Sequence, residues 1–265
     1  MPYFQSGTRE IYFERHGQGP ALVWLHGAGS NAATWWQQLP PFARHFTCLT
    51  MDQRCFGRSV APLEEFRIEH FVADVQALLD HEGIEQATLL GQSLGGMVAL
   101  RMALTHPERV RSLVLCDTSM AIDHAAQLTI LRERIARVAG LTIEQRSLGA
   151  WFIENRPQLA ALYMQINHFN PNVHRQNAAA WQVAMEGLNQ PDQLTSMDSL
   201  AQVRCPTLIV VGEHDPIVPV SIMQEVQARI PDCQLSVIPL AAHSAYFEQP
   251  DVFNHRVMAF LKSNA

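Results

Sequence analysis

The chain contains no run of about 18 uninterrupted apolar residues, the length a helix needs to cross a bilayer. Its first residues, Met1 to Gly7, have neither a basic stretch nor an apolar segment of export-signal type, so a cytoplasmic chain is expected. No block of like charge appears, and a formal net charge of -6 supplies no basic field for nucleic acid or an anionic membrane. The five cysteines, Cys48, Cys55, Cys116, Cys205 and Cys233, are scattered without a C-x-x-C pair, as expected of buried free thiols in a reducing compartment. There is no H-E-x-x-H and no dinucleotide-binding fingerprint. His124, His168 and His174 come with no ligand-like acid set, so neither a metal nor a cofactor is expected.

Against these absences stands one dense motif, Gly91-Gln92-Ser93-Leu94-Gly95-Gly96. The apolar run Ala87 to Leu90 before it reads as a buried strand, and Met97 to Leu104 after it reads as a helix closed by His106-Pro107. A strand that turns this tightly into a helix needs glycine on both sides of a strained residue, which lifts the Ser93 hydroxyl above the sheet. The helix that follows aims free backbone N–H groups at the same point, which suits a developing oxyanion. Ser93 is therefore the candidate nucleophile, with the Leu94 N–H as one oxyanion donor.

Three further segments place chemistry at strand ends. Leu22 to Leu25 leads into His26-Gly27-Ala28-Gly29-Ser30, a loop that can bring the Ala28 N–H to the serine. His26 is expected to brace that loop by hydrogen bonds rather than to take a proton. Thr207 to Val211 runs into Gly212-Glu213-His214-Asp215-Pro216, and Leu235 to Ile238 leads to Ala241-Ala242-His243-Ser244. Serine, aspartate and histidine thus follow one another along the chain, each just past a strand.

This order and these motifs resemble the α/β-hydrolase fold family over nearly the whole chain. Asp52-Gln53-Arg54-Cys55-Phe56-Gly57-Arg58-Ser59 is similar to the family's D-x-R-G-x-G-x-S loop, and His243 with Phe247-Glu248-Gln249-Pro250 to its G-H-x-x-x-x-E-x-P ending. Cys55 and Ala242 stand where the family commonly has glycine; if position 55 needs positive φ, cysteine there carries a strain of ~1 kcal/mol or more. The resemblance implies a mostly parallel central sheet flanked by helices, with the triad Ser93, Asp215 and His243. Asp117, after the strand Val110 to Leu115, is a rival carboxylate, since some relatives draw the acid from that position. Asp215 is preferred because its strand precedes the histidine strand.

At 265 residues the chain suits one α/β core and a small insertion. The core is expected over 1–119 and 201–265, opening with antiparallel strands Glu10 to Glu14 and Ala21 to Leu25 around a hairpin at His16 to Pro20. Between 120 and 200 the alternation stops, and Leu128, Leu131, Ile135 and Val138 recur at helical spacing, so an inserted helical cap is expected over the site. Its aromatics Trp151, Phe169 and Trp181 are candidate substrate contacts. Asn167 to Asn172 reads as an irregular segment facing the cavity. The arginines Arg132, Arg134, Arg137, Arg146, Arg156 and Arg175 are candidates to bind a substrate carboxylate.

The resemblance implies a serine hydrolase, most simply an esterase of small or medium carboxylic esters whose only partner is a small-molecule ester or lactone. The stretch Gly91 to Thr118 looks most like 3-oxoadipate enol-lactonases and hydrolases that cleave carbon–carbon bonds of ring-fission products. Slow-turnover ligand receptors of the same fold, and perhydrolases or acyltransferases, are the other readings.

Overall fold

The computed structural model describes residues 2–138, 140–168 and 178–264. Eight strands make one sheet: β1 (Tyr3–Ser6), β2 (Arg9–His16), β3 (Ala21–Leu25), β4 (Thr47–Met51), β5 (Ala87–Gln92), β6 (Val110–Cys116), β7 (Thr207–Gly212) and β8 (Cys233–Ile238). Their spatial order is β1-β2-β4-β3-β5-β6-β7-β8. β1 and β2 are antiparallel, as are β2 and β4, and every pair from β4 to β8 is parallel.

The parallel strands are apolar without alternation because both faces of the sheet are covered. Successive side chains of β3 divide between two cores. Val23 and Leu25 pack with Phe71, Val75, Leu78 and Val98 from the helices Ile68–His81 and Leu94–Thr105. Leu22 and Trp24 pack on the opposite face with Phe42, Phe253 and Val257, the last two from the helix Pro250–Ser263.

One expectation is corrected here. β2 and β3 do not form a hairpin: β4 lies between them, pairing Phe13 with Met51 on one side and Val23 with Leu49 on the other. The hairpin is instead β1–β2, turning at Gly7-Thr8. Residues 17–20 carry the chain across the start of β4, and there the backbones nearly touch. A Cβ on Gly17, at φ +74°, would stand 2.1 Å from the Ala43 carbonyl oxygen. Glycine, which commonly signals a turn, serves a close crossing here.

Between β6 and β7 the described residues form five α-helices, Ala125–Arg137, Ile143–Ser147, Ala150–Asn155, Pro157–His168 and Ala178–Gly187, and a 3-10 helix, Met197–Gln202. The base of this segment is closed by a parallel bridge between Ile122 and Thr195, with Thr195 N–H donating to Ala121 O (2.7 Å) and Asp123 N–H to Thr195 O (2.8 Å). Asn167 and His168, expected in an irregular stretch, end the helix Pro157–His168; Asn167 donates to Tyr163 O one turn back (2.7 Å), which satisfies its amide inside the helix. Phe169 and the rest of that stretch lie outside the described residues. Among those residues no helix is long and apolar enough to cross a membrane.

Gly17→Ala is expected to destabilise the fold by more than ~1 kcal/mol, since the new methyl meets positive φ and a carbonyl together. A lower Tm with the native far-ultraviolet dichroism retained is the expected result, and an unchanged Tm would mean that the crossing tolerates a side chain.

Candidate functional site

Ser93 leaves β5 at φ 51°, ψ -113°, a conformation that L-residues rarely adopt. The surroundings allow nothing else. A Cβ on Gly91 would stand 2.2 Å from Gly95 O, and one on Gly95 would stand 2.1 Å from Leu25 O, so strand and helix meet at backbone distance. Ser93 N–H donates to Cys116 O (3.0 Å), while Ser93 O accepts from Gly96 N–H (3.0 Å) and from Thr118 Oγ1–H (2.6 Å). The elbow is thereby tied to the end of β6.

Ser93 Oγ–H donates to His243 Nε2 (3.1 Å), and His243 Nδ1–H donates to Asp215 Oδ2 (2.8 Å). Asp215 is itself held, its Oδ1 accepting from Ile217 N–H (2.8 Å) and Val218 N–H (3.0 Å) in the loop after β7. Asp215 and His243 are buried, and the carboxylate fixes the tautomer that leaves Nε2 free to take a proton. Gln92 Nε2–H donates to His243 O (2.8 Å), so the residue before the serine also steadies the histidine loop.

Asp117 lies in the same region but does a different task. Its Oδ1 accepts from Gly212 N–H and its Oδ2 from Ala245 N–H, both at 2.8 Å, so it ties the end of β7 to the histidine loop. Complete burial, and next the charge of Asp215, raise its pKa well above the usual carboxylate range. The residue that accepts from His243 is Asp215.

The loop after β3 is braced from within. His26 Nε2 accepts from Gln53 N–H (2.9 Å), which leaves Nδ1–H to donate to Gly27 O (2.8 Å). Burial pulls the His26 pKa down to about 4, so the ring is neutral and acts as a spacer between backbone groups. The Ala28 N–H has no acceptor among the described residues, and Leu94 opens its helix, so its N–H has no partner within it. Asn31 crosses to the cap, its Nδ2–H donating to Ile166 O (2.8 Å). Cys55, next to this loop, has φ 69°, so the condition under which a cysteine there is strained is met.

The cap aromatics separate. Trp181 is partly buried and meets the rings of Phe56 (5.5 Å) and Phe66 (5.1 Å), and Phe56 stands edge-on to His26 (5.4 Å), so Trp181 reaches the neighbourhood of the site. Trp151 is 38% exposed, while its neighbour Phe152 is buried against Phe247, so the inward position on this short helix belongs to Phe152. That sets Trp151 apart from the other residues of the site. Phe169 lies outside the described residues. Sequence reasoning missed the roles of Gln92, which lies inside the serine motif, and Glu248, which lies five residues after His243. The second was legible as a motif position and illegible as a set of contacts. Among the described residues, no three His, Cys, Asp or Glu side chains gather as a metal ion would need.

With this geometry in place, comparison with known proteins is direct. The family model for the alpha/beta hydrolase fold matches residues 20–250, and the chain belongs to that family. It is 31% identical over 248 residues to 3-oxoadipate enol-lactonase 2 of Acinetobacter baylyi, covering 92% of this chain and 89% of that one. Among solved structures it is similar to an N-acyl homoserine lactone degrading enzyme (26% identity, TM-score 0.84, 98% of this chain and 100% of that chain). It is also similar to a thermophilic esterase from Thermogutta terrifontis (26% identity, TM-score 0.83, 99% and 98%).

The two aspartates are expected to separate in mutants. Asp215→Asn removes the acceptor that fixes the His243 tautomer and is expected to lower kcat by about 10⁴-fold. Asp117→Asn turns an amide N–H toward backbone N–H donors, so it is expected to lower Tm with a far smaller loss of kcat. The opposite ranking would move the orienting role to Asp117.

Proposed function

We propose that the chain is a serine hydrolase acting on small to medium carboxylic esters through an acyl-enzyme. The observation that carries the reading is the hydrogen-bonded relay Ser93–His243–Asp215 beneath a strained elbow. His243 Nε2 takes the Ser93 proton as Oγ attacks the carbonyl carbon, and the oxyanion accepts from the N–H groups of Ala28 and Leu94. His243 then protonates the departing alcohol. Water, deprotonated by the same nitrogen, adds to the acyl-enzyme and releases the acid. Relatives named as enol-lactonase and esterase support the reaction class.

One observation favours a second, narrower reading, in which the substrate carries a carboxylate, as an enol-lactone acid does. Of the cap arginines, Arg137 pairs with Glu133, Arg132, Arg146 and Arg156 are exposed, and Arg175 lies outside the described residues. Arg134 is half-buried, has no carboxylate partner among the described residues and donates to Arg146 O (3.3 Å). Burial lowers its pKa from the usual arginine value, and the Asp215 charge works against that shift. An arginine taken out of water beside Asp215 and Tyr163 without an ion pair is available to an anionic group.

A fluorophosphonate is expected to label Ser93 once, with no labelling of Ser93→Ala. Equal labelling of that variant would sink the reading. Sustained turnover on p-nitrophenyl esters supports the esterase, whereas a single burst without turnover assigns a receptor-like role. Arg134→Gln is expected to raise KM for a carboxylate-bearing ester by about 10- to 100-fold, the loss of one charge-assisted bond, while a neutral ester is unaffected. Equal KM changes for both esters would remove Arg134 from substrate recognition.

A further inference from the structure

The histidine loop is held by its backbone, and one side chain does most of the holding. Glu248 ends the short helix Ala245–Glu248, is 4% exposed, and has no arginine or lysine partner among the described residues. Its Oε1 accepts from the amides on either side of the catalytic candidate, Ala242 N–H (2.9 Å) and Ser244 N–H (3.3 Å). Its Oε2 accepts from Gly149 N–H (2.8 Å), the residue that opens the cap helix Ala150–Asn155. The amide between the first two, His243 N–H, donates to the cap carbonyl of Ser147 (3.0 Å). Three successive amides around His243 are therefore spoken for, two by Glu248 and one by the cap segment that Glu248 also grips. Tyr163 adds a side-chain link from the cap, its hydroxyl 3.0 Å from Ser244 Oγ, and its ring stacks edge-on to Phe247 (4.9 Å).

We propose that Glu248 is a positioning residue that locates His243 and the cap as one unit, so that proton transfer from Ser93 and the seating of the cap depend on the same carboxylate. The proposal rests on the hydrolase reading of Ser93 and His243. A carboxylate is required because every group aimed at it is an N–H donor. A glutamine of the same shape offers one oxygen and one NH2, so either the histidine loop or the Gly149 amide is left facing another donor.

The same arrangement is sensitive to pH. Burial, the largest influence, pushes the Glu248 pKa up to about 7 against three backbone hydrogen bonds that favour the charged form, and the charge of Asp215 adds to the rise. The other titratable groups around it are His243 on its own loop and Tyr163 from the cap helix Pro157–His168, with Asp117 and Arg134 beyond Tyr163. On protonation, a hydroxyl hydrogen enters a site built only of donors, so the geometry loosens on the acid side. The stability contribution runs the other way. The folded pKa is raised above the unfolded one, so Glu248's contribution is fully present below the unfolded value and is lost as pH rises through about 7.

The test compares wild type with Glu248→Gln in three measurements: the rate of Ser93 modification by a small fluorophosphonate, kcat and KM for p-nitrophenyl acetate and a bulky acyl ester, and the pH profile. Glu248→Gln is expected to slow labelling and lower kcat by about 10- to 100-fold, the scale of a misplaced catalytic group, with KM for the small ester little changed and the acyl preference altered. The wild-type acid limb is expected to carry an ionisation near 7 that the variant lacks. A folded variant with wild-type labelling rate and an unaltered acid limb would overturn the proposal, whatever its Tm. If the variant does not fold, wild type alone decides. Protonated Glu248 is expected to act as the variant does, so the wild-type log kcat/KM should show a step of about 10- to 100-fold centred near 7, and an acid limb without that step overturns the proposal. Failure of Ser93 to label in wild type would instead strike the hydrolase reading.

Discussion

Everything at the site depends on one residue held in a backbone conformation that it would not choose. Ser93 at φ 51°, ψ -113° carries a cost on the order of 1–3 kcal/mol, and the fold must supply the compensation. It does so by position. β5 runs between β3 and β6, the helix Leu94–Thr105 packs on all three, and every residue of β5 is buried. Relaxing the elbow would break the bond from Ser93 N–H to Cys116 O and move a helix that touches Leu25 O at backbone distance. The strain is therefore stored where neighbouring strands overdetermine it, and the hydroxyl is left facing His243.

The electrostatics follow a single pattern. Three buried carboxyl groups, Asp117, Asp215 and Glu248, hold the histidine loop, Asp215 through the imidazole and the other two through backbone amides, and no arginine or lysine forms an ion pair with any of them among the described residues. Backbone N–H groups take that place: two on Asp215, two on Asp117 and three on Glu248. Three carboxylates so close cannot all be ionised at little cost. The Asp117 pKa is raised accordingly, by burial first and then by the charge of Asp215. Asp117 accepts from Gly212 and Ala245 and makes no bond to His243, a position different from that of a rival acid.

How much of this was legible in the sequence depended on whether a residue's task is local. The elbow, the strand-end order of Ser93, Asp215 and His243, and the bracing role of His26 rest on short-range chemistry, and the structure brings those residues together as the motifs implied. The hairpin at residues 17–20 was misread because glycine signals a turn and a close crossing alike, and only the partner strand distinguishes them. Trp151 and Phe152 are adjacent and both large, so composition could not say which one faces Phe247. Arg134 differs from the other described cap arginines in burial, which is a property of its surroundings. Glu248 was visible as a motif position, while its function lies in amides up to 99 residues away along the chain.

Those long-range amides change what the inserted helices are. A cap connected to the core only through its two ends could be exchanged without touching the chemistry beneath it. Here the cap contacts the oxyanion loop through Asn31 and Ile166, the histidine loop through Ser147 and Tyr163, and Glu248 through Gly149. Loop and inserted helices share these bonds, so the groups on both sides of Ser93 are tied to the inserted segment. Exchanging such a cap changes more than the pocket wall. The substituted segment must also present an N–H to Glu248 and a carbonyl to the His243 amide, and if it fails to do so the histidine loop loses both bonds.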